Sequence, residues 1–394
     1  MWILHRKQRV NMQFSRRQLL GWGSTIAAGA AFGFQHFAVA RSEHNRYGKL
    51  LADPAGILNL PAGFTYRVLL QTGDLMSDGA QRRDLPDGMA AFVGAPGQTI
   101  LMCNHERVEN GGVSRLVIDQ KTLRVLSSND VLTGTQRNCS GGSSPWGWLS
   151  CEEVTLGGVW LCPADTTRAL SVTQRRRLDA YGSFCHEAVC VDPQSLIAYL
   201  TEDDGPSYLY RMVPHDRKYP FSGQLQALSA RAPGGQDTQD MRVRDAFDIG
   251  WVRVEPRQAR ASAQSKGATV FHRGEGIWFF DGAVYFTCTS NDQLFKLTPQ
   301  GDGGRVQLIA NDFSSPDNIT VTPWGDVVVA EDQKGRCRLR VLDARGKVST
   351  LAENAVGIAE EFAGVCFSPD GSTLFCNLQK SGHTVAIQGP FKSA

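Results

Sequence analysis

Apolar residues in this chain come in short runs, the runs come in pairs, and each pair is followed by a polar cluster. Residues 188–192 lead through a Pro-containing turn to residues 197–200 and then to Thr201-Glu202-Asp203-Asp204. The same order recurs from 276–282 through 284–287 to Ser290-Asn291-Asp292, from 318–325 through 327–330 to Glu331-Asp332, and from 364–371 through 373–376 to Asn377-Leu378-Gln379. Two earlier stretches fit: 91–93 leading to Asn104-His105-Glu106, and Gly142 through 148–150 leading to Cys151-Glu152-Glu153. Runs this short, rich in Val, Ile, Phe and Tyr and bounded by Gly, Pro, Asn and Asp, predict β-strands rather than helices.

The spacing of the clusters predicts the architecture. Asn104 to Cys151 is 47 residues, Cys151 to Glu202 is 51, Asn291 to Glu331 is 40 and Glu331 to Asn377 is 46. A period of about 40–50 residues with four short strands in each is the signature of propeller blades. Glu202 to Asn291 spans 89 residues, and the interval 214–270 is rich in Pro, Gly, Arg and Gln, which predicts an insertion. The expected fold is therefore all-β, a six-bladed β-propeller with an insertion between blades. The strand over residues 64–70 is expected to complete the last blade and close the ring, since unpaired edges would otherwise remain.

The N-terminus adds a separate segment. Ser15-Arg16-Arg17-Gln18-Leu19-Leu20 precedes a Gly- and Ala-rich apolar stretch and then Ala38-Val39-Ala40. A basic region, a modest apolar core and a small-x-small cleavage site with paired arginines predict a twin-arginine signal peptide over 1–40. The propeller then occupies 41–394, and its destination is the periplasm. Composition changes little: 42% hydrophobic, 20% charged and a net charge of +2 give no electrostatic case for nucleic acid or a membrane surface. Most of the ten cysteines sit in apolar runs, where a free thiol is a small hydrophobe, and pairing of Cys366 with Cys376 is not required.

If each repeat is one blade, equivalent positions converge at one end of a central channel. One set follows the second strand: Glu106, Cys151, Glu152, Glu153, Glu202, Asp203, Asp204, Asn291, Glu331 and Asp332. Another precedes the first: Glu187, Arg273-Gly274-Glu275, Asp317-Asn318 and Glu360-Glu361. So many carboxylates cannot share a small volume ionised and unpaired, and multivalent cations resolve the conflict. Carboxylate and amide oxygens suit Ca²⁺, Mg²⁺ or Mn²⁺, whereas a thiolate such as Cys151 among them favours a transition metal. The candidate ligands are Glu106, Cys151, Glu152, Glu187, Glu202, Asp203, Glu275, Asp317, Asn318 and Glu331. No P-loop, zinc-protease helix or nucleophile elbow is present in the sequence.

Several strings carry a family likeness: Asn104-His105-Glu106, Pro145-Trp146-Gly147-Trp148-Leu149-Ser150-Cys151-Glu152-Glu153, Phe184-Cys185-His186-Glu187, Arg273-Gly274-Glu275-Gly276, Pro316-Asp317-Asn318 and Glu361-Phe362-Ala363-Gly364. In order and together they resemble the PhoX family of bacterial alkaline phosphatases. The resemblance implies a six-bladed propeller that holds two iron ions and several Ca²⁺ at the channel mouth and hydrolyses phosphomonoesters. It further implies an iron bound through Cys151, a phosphate contact in the catalytic Arg273, and a metal ligand in Glu275. A monomer acting on a small phosphomonoester is the expectation. A Ca²⁺-dependent lactonase or phosphotriesterase-like propeller, and a non-catalytic propeller binding an envelope partner, are the alternatives.

Overall fold

The structure, a computed structural model, describes residues 45–231, 236–333, 335–357 and 360–392. The leader expected over 1–40 lies outside the described residues. Among them no helix is long and apolar enough to cross a membrane.

Six antiparallel meanders repeat along the chain. The first blade comprises Pro86–Val93, Gln98–His105, Gly111–Asp119 and Val125–Thr135, and the second Gly142–Ser144, Gly147–Cys151, Val159–Cys162 and Arg176–Arg177. The third comprises His186–Val191, Ala198–Glu202, Tyr210–Pro214 and Gly223–Ala230, and the fourth Gly274–Phe280, Ala283–Cys288, Gln293–Gln300 and Gly303–Ala310. The fifth comprises Pro316–Val321, Val327–Glu331, Arg338–Leu342 and Val348–Asn354, and the sixth Phe362–Phe367, Thr373–Leu378 and His383–Gln388. The six leading strands contact one another in chain order, and the last contacts the first. That closed circuit is the wall of a propeller channel.

Thr65–Leu70 pairs with His383–Gln388 and supplies the outermost strand of the sixth blade. Leu58–Pro61 likewise adds to the edge of the fifth. The expected insertion begins later than residue 214, because Gly223–Ala230 is the outer strand of the third blade. What is added is the strand Ala246–Arg253, which pairs with the outer strands of both the third and fourth blades, and the short helix Ala259–Ser265.

The core is divided as the blades are. Each of six apolar clusters fills one interface between neighbouring blades, such as Leu149, Val159, Val189 and Leu200 between the second and third. Middle strands are therefore covered on both faces, which is why they read as continuous apolar runs. All ten cysteines are free thiols, and all but Cys185 are buried.

Two backbone features aim side chains at the channel. In five blades the leading strand bulges near its start: after the first paired residue between Pro86 and Met89, His186 and Val189, Gly274 and Ile277, and Pro316 and Ile319, and after the second between Ala363 and Cys366. A bulge of this kind turns a side chain out of the ladder. Neighbouring leading strands also approach too closely for a side chain at the next position. A Cβ on Gly88 would lie 1.6 Å from the Ser140 carbonyl oxygen, and one on Gly364 would lie 2.1 Å from that of Asp87. Glycine at these two sites keeps the ring narrow.

Candidate metal centre

The bulge position carries Asp87 in the first blade, Glu187 in the third, Glu275 in the fourth and Asp317 in the fifth. In the second blade the regular leading strand is short, but Asn138 bridges to Glu152 just upstream, which puts Cys139 at the equivalent place. The sixth blade has Ala363 there. A second tier comes from the residue just past each second strand: Glu106, Glu153, Asp203, Thr289, Asp332 and Gln379. In every blade the backbone N–H of that residue donates to the carbonyl of the residue before the leading strand, at 2.9–3.1 Å, from Glu106 to Leu85, Glu153 to Arg137, Asp203 to Cys185, Thr289 to Arg273, Asp332 to Ser315 and Gln379 to Glu361. This recurring bond holds the two tiers in one register.

The side chains gather into four overlapping groups: Asp87, Glu106 and Cys139; Cys139, Glu153 and Glu187; Glu187, Glu275 and Asp317; Asp317, Asp332 and Glu361. Within each group the ligand atoms lie within 4.8 Å of one another. Successive groups share Cys139, Glu187 and Asp317, so the series draws on all six blades.

Electrostatics follow from the crowding. Burial, then the charge of Glu275 and Asp317, drives the Glu187 carboxyl well above its ordinary range, and burial followed by Glu106 does the same to Asp87. Glu275 and Asp317 are raised for the same reasons, while Glu153 is pushed up to about 9 by burial and Glu106, and Glu361 to about 7 by burial and Asp332. Burial and the carboxylates of Asp87 and Glu187 hold the Cys139 thiol strongly protonated. Glu187 Oε1 and Asp87 Oδ1 are buried without a hydrogen-bond partner among the described residues. Buried oxygens of this kind are costly unless something positive meets them.

Among the described residues, three side-chain cations pair with the acids at the rim. Arg137 reaches Glu106 at 2.6 Å and Glu153 at 2.7 Å, Arg273 reaches Asp203 at 2.8 Å and Glu275 at 3.0 Å, and Lys380 reaches Glu361 at 2.7 Å. Arg137 and Arg273 occupy the same register, just before a leading strand, and both have left-handed backbone, with φ of 42° and 54°.

Of the residues expected as ligands, Glu106, Glu187, Glu275 and Asp317 are brought together here. Asp203 stands beside them, occupied by Arg273. Asn318 braces the ring: its Nδ2 donates to Asp317 Oδ1 at 2.8 Å and its Oδ1 accepts from the Gly364 N–H at 2.5 Å. Glu152, Glu202 and Glu331 turn away into their blades. Glu152 accepts from Trp160 Nε1 at 2.8 Å and the Gln136 N–H at 3.1 Å, and Glu202 meets Arg260 at 3.1 Å and the Tyr208 N–H at 3.0 Å. Glu331 accepts from the Ser314 N–H at 3.0 Å. Cys151 corrects the expectation most sharply. Its thiol is fully buried among Leu149, Val159, Leu178 and Tyr181, and Cys139 is the thiol that meets the carboxylates. Asp87, Cys139, Arg137 and Lys380 lie outside the expected set, and Glu153, Asp332 and Glu361 belong to the polar clusters but not to the expected ligands. Side-chain alternation could have found three of these, since the residue after each inward-turned acid must face the channel.

Fold and side chains together define a propeller whose channel mouth is ringed by carboxylates and one thiol. The chain belongs to the alkaline phosphatase PhoX family, whose profile matches residues 45–129, 158–309 and 295–382. The structure of Pseudomonas fluorescens PhoX in complex with vanadate, a transition state analogue, is similar, with 16% identity, a TM-score of 0.71, and coverage of 85% of this chain and 96% of that one. A Xanthomonas campestris gluconolactonase (12% identity, TM-score 0.45, 84% and 97% coverage) and a Staphylococcus aureus virginiamycin B lyase (11% identity, TM-score 0.44, 82% and 99% coverage) are more distant. No curated protein matches the sequence.

Proposed function

We propose that the chain is an exported, metal-dependent phosphomonoesterase acting at the acid-ringed channel mouth. One observation carries the reading: four ligand groups share members around the ring, with buried oxygens on Asp87 and Glu187 that nothing among the described residues satisfies. A donor set of this kind fits bound cations. The two groups that contain Cys139 suit a transition metal, iron by family likeness, and the all-carboxylate groups Glu187–Glu275–Asp317 and Asp317–Asp332–Glu361 suit Ca²⁺. Cations held there supply positive charge to the oxygens of a phosphoryl group.

The protein's own contribution is orientation. Arg273 is anchored through Nε and Nη2 on Asp203 and Glu275, while its Nη1 makes no hydrogen bond among the described residues. A guanidinium fixed along one edge presents the other to an incoming dianion and stays protonated at any working pH. Asp203 and Glu275 thereby position Arg273, and Asn318 fixes Asp317. The paired arginines Arg16 and Arg17 support export to the periplasm.

The test is elemental analysis of purified protein together with hydrolysis of p-nitrophenyl phosphate. Iron and calcium in the protein, with turnover lost on chelation and restored by the two metals, is the expected outcome. Full turnover by iron-free protein would leave a calcium-only site, and cleavage of a lactone with none of the aryl phosphate would remove the phosphatase reading.

A further inference from the structure

Arg137 and Lys380 are the rim cations that the proposed chemistry does not use, and Arg137 is the guanidinium of the two. It repeats Arg273 in three respects. Each directly precedes the residue that pairs with the end of its blade's second strand (Asn138 with Glu152, Gly274 with Cys288), each has a left-handed backbone, and each guanidinium bridges two acids from neighbouring blades. Each is also anchored through the same edge. Arg137 donates from Nε and Nη2 to Glu106 and from Nη2 to Glu153, and its Nη1 makes no hydrogen bond among the described residues. The two side chains are similarly open to solvent, 40% for Arg137 and 44% for Arg273. Between them stands the third blade, with the uncharged Cys185 at that register. Two half-exposed guanidiniums, each with an Nη1 that makes no hydrogen bond among the described residues, therefore flank one blade at the rim.

One phosphoryl group needs one of them. Resting on the phosphomonoesterase reading, we propose that Arg137 is a specificity residue that binds a second anionic group of the substrate, carboxylate or phosphate, while Arg273 attends the reacting phosphoryl group. The preferred substrate is then a phosphomonoester with another anionic group a few bonds from the ester. The Nη1 end has two N–H donors, which either oxyanion can accept.

The experiment compares kcat/KM for glycerol 3-phosphate, 3-phosphoglycerate, which adds a carboxylate, and glycerol 1,3-bisphosphate, which adds a phosphate. Ratios of kcat/KM on one sample do not depend on how much of it is loaded with metal. Wild type is expected to prefer one or both dianionic-plus substrates by about tenfold over the monoester, and the arm that shows it identifies the group. Arg137→Ala should bring that ratio close to one, and Arg137→Lys should keep part of it. Equilibrium binding of two inert ligands, 3-phosphonopropionate and propylphosphonate, reads the same ratio without turnover. An equal ratio in wild type and Arg137→Ala overturns the proposal, as does wild type without preference in either measurement. Hydrolysis of none of the three esters by metal-loaded wild type removes the phosphatase reading itself, whereas a binding preference that Arg137→Ala abolishes would still uphold Arg137 as the anion contact.

Discussion

Cys139 and Cys151 lie side by side in the second blade, the N–H of one donating to the carbonyl of the other at 3.1 Å, yet their thiols live in opposite surroundings. Cys139 meets Asp87, Glu106, Glu153 and Glu187, while Cys151 is packed in the apolar interface with the third blade. Burial raises both thiols, but around Cys139 four carboxylates add to it, and around Cys151 only Glu152 contributes. Two residues can share a ladder and still belong one to chemistry and one to packing. What separates them is the direction in which the pleat points.

The contrast is sharpest in paired serine substitutions. Cys139→Ser should lose the transition metal, and activity should fall by about 10³-fold, since several kcal/mol of charge stabilisation leave with the ion. Cys151→Ser should keep its metal and lose about 1–3 kcal/mol of stability, the cost of a buried hydroxyl without a partner. Elemental analysis and urea unfolding distinguish them, and loss of iron from Cys151→Ser alone would reverse the assignment.

Neighbouring Glu202 and Asp203 extend the comparison, because each holds its own arginine. Arg273→Ala should lower kcat per metal-loaded molecule by about 10²–10³ with the metals retained. Arg260→Ala should leave turnover near wild type and cost about 1–3 kcal/mol, less than for a fully buried pair because Arg260 is 34% exposed. If Arg273→Ala instead sheds metal while loaded molecules turn over normally, Arg273 only steadies Asp203 and Glu275.

Without metal the ring should also give the fold a distinctive pH dependence. The carboxyls of Asp87, Glu153, Glu187, Glu275, Asp317 and Glu361 have folded pKa values raised above the unfolded range, so the folded chain holds more protons than the unfolded one from about pH 4.5 upward. Stability of the metal-free protein should therefore fall as pH rises, through about 7 for Glu361 and about 9 for Glu153, at about 1.4 kcal/mol per pH unit for each such proton. Urea midpoints at several pH values measure it, and added cations should flatten the slope. A metal-free protein equally stable across that range would show that the crowding is relieved some other way. The smallest effect belongs to Glu152→Gln, about 1 kcal/mol with metal content unchanged, whereas Glu153→Gln should weaken metal binding. Equal metal loss in both would mean that the two acids are not divided between blade and channel.

The blades were legible because their middle strands are buried on both faces and leave unbroken apolar runs at a steady period. Even the closing strand, Thr65–Leu70, was expected. The site was less legible for a local reason. In a pair such as Glu152-Glu153 or Glu331-Asp332 only one member can face the channel, and in the leading strands the bulge resets the alternation for the acids there. Asp87 escapes the pattern because it stands four residues ahead of the apolar run at Ala91. Cys139 stands before a leading strand whose regular part is only Gly142–Ser144, so no hydrophobic pattern marks its register.

Closure of the ring has a consequence for how the molecule is made. Thr65–Leu70 waits for His383–Gln388, and Leu58–Pro61 for Val348–Asn354. Synthesis proceeds at about 5–20 residues per second, so the earliest strands spend on the order of tens of seconds without their partners. A nascent chain that has completed five meanders still exposes two open sheet edges, the kind of surface on which strands of other chains add. The propeller is sealed only once His383–Gln388 has left the ribosome. An interrupted chain is therefore an aggregation hazard, not a smaller version of the protein.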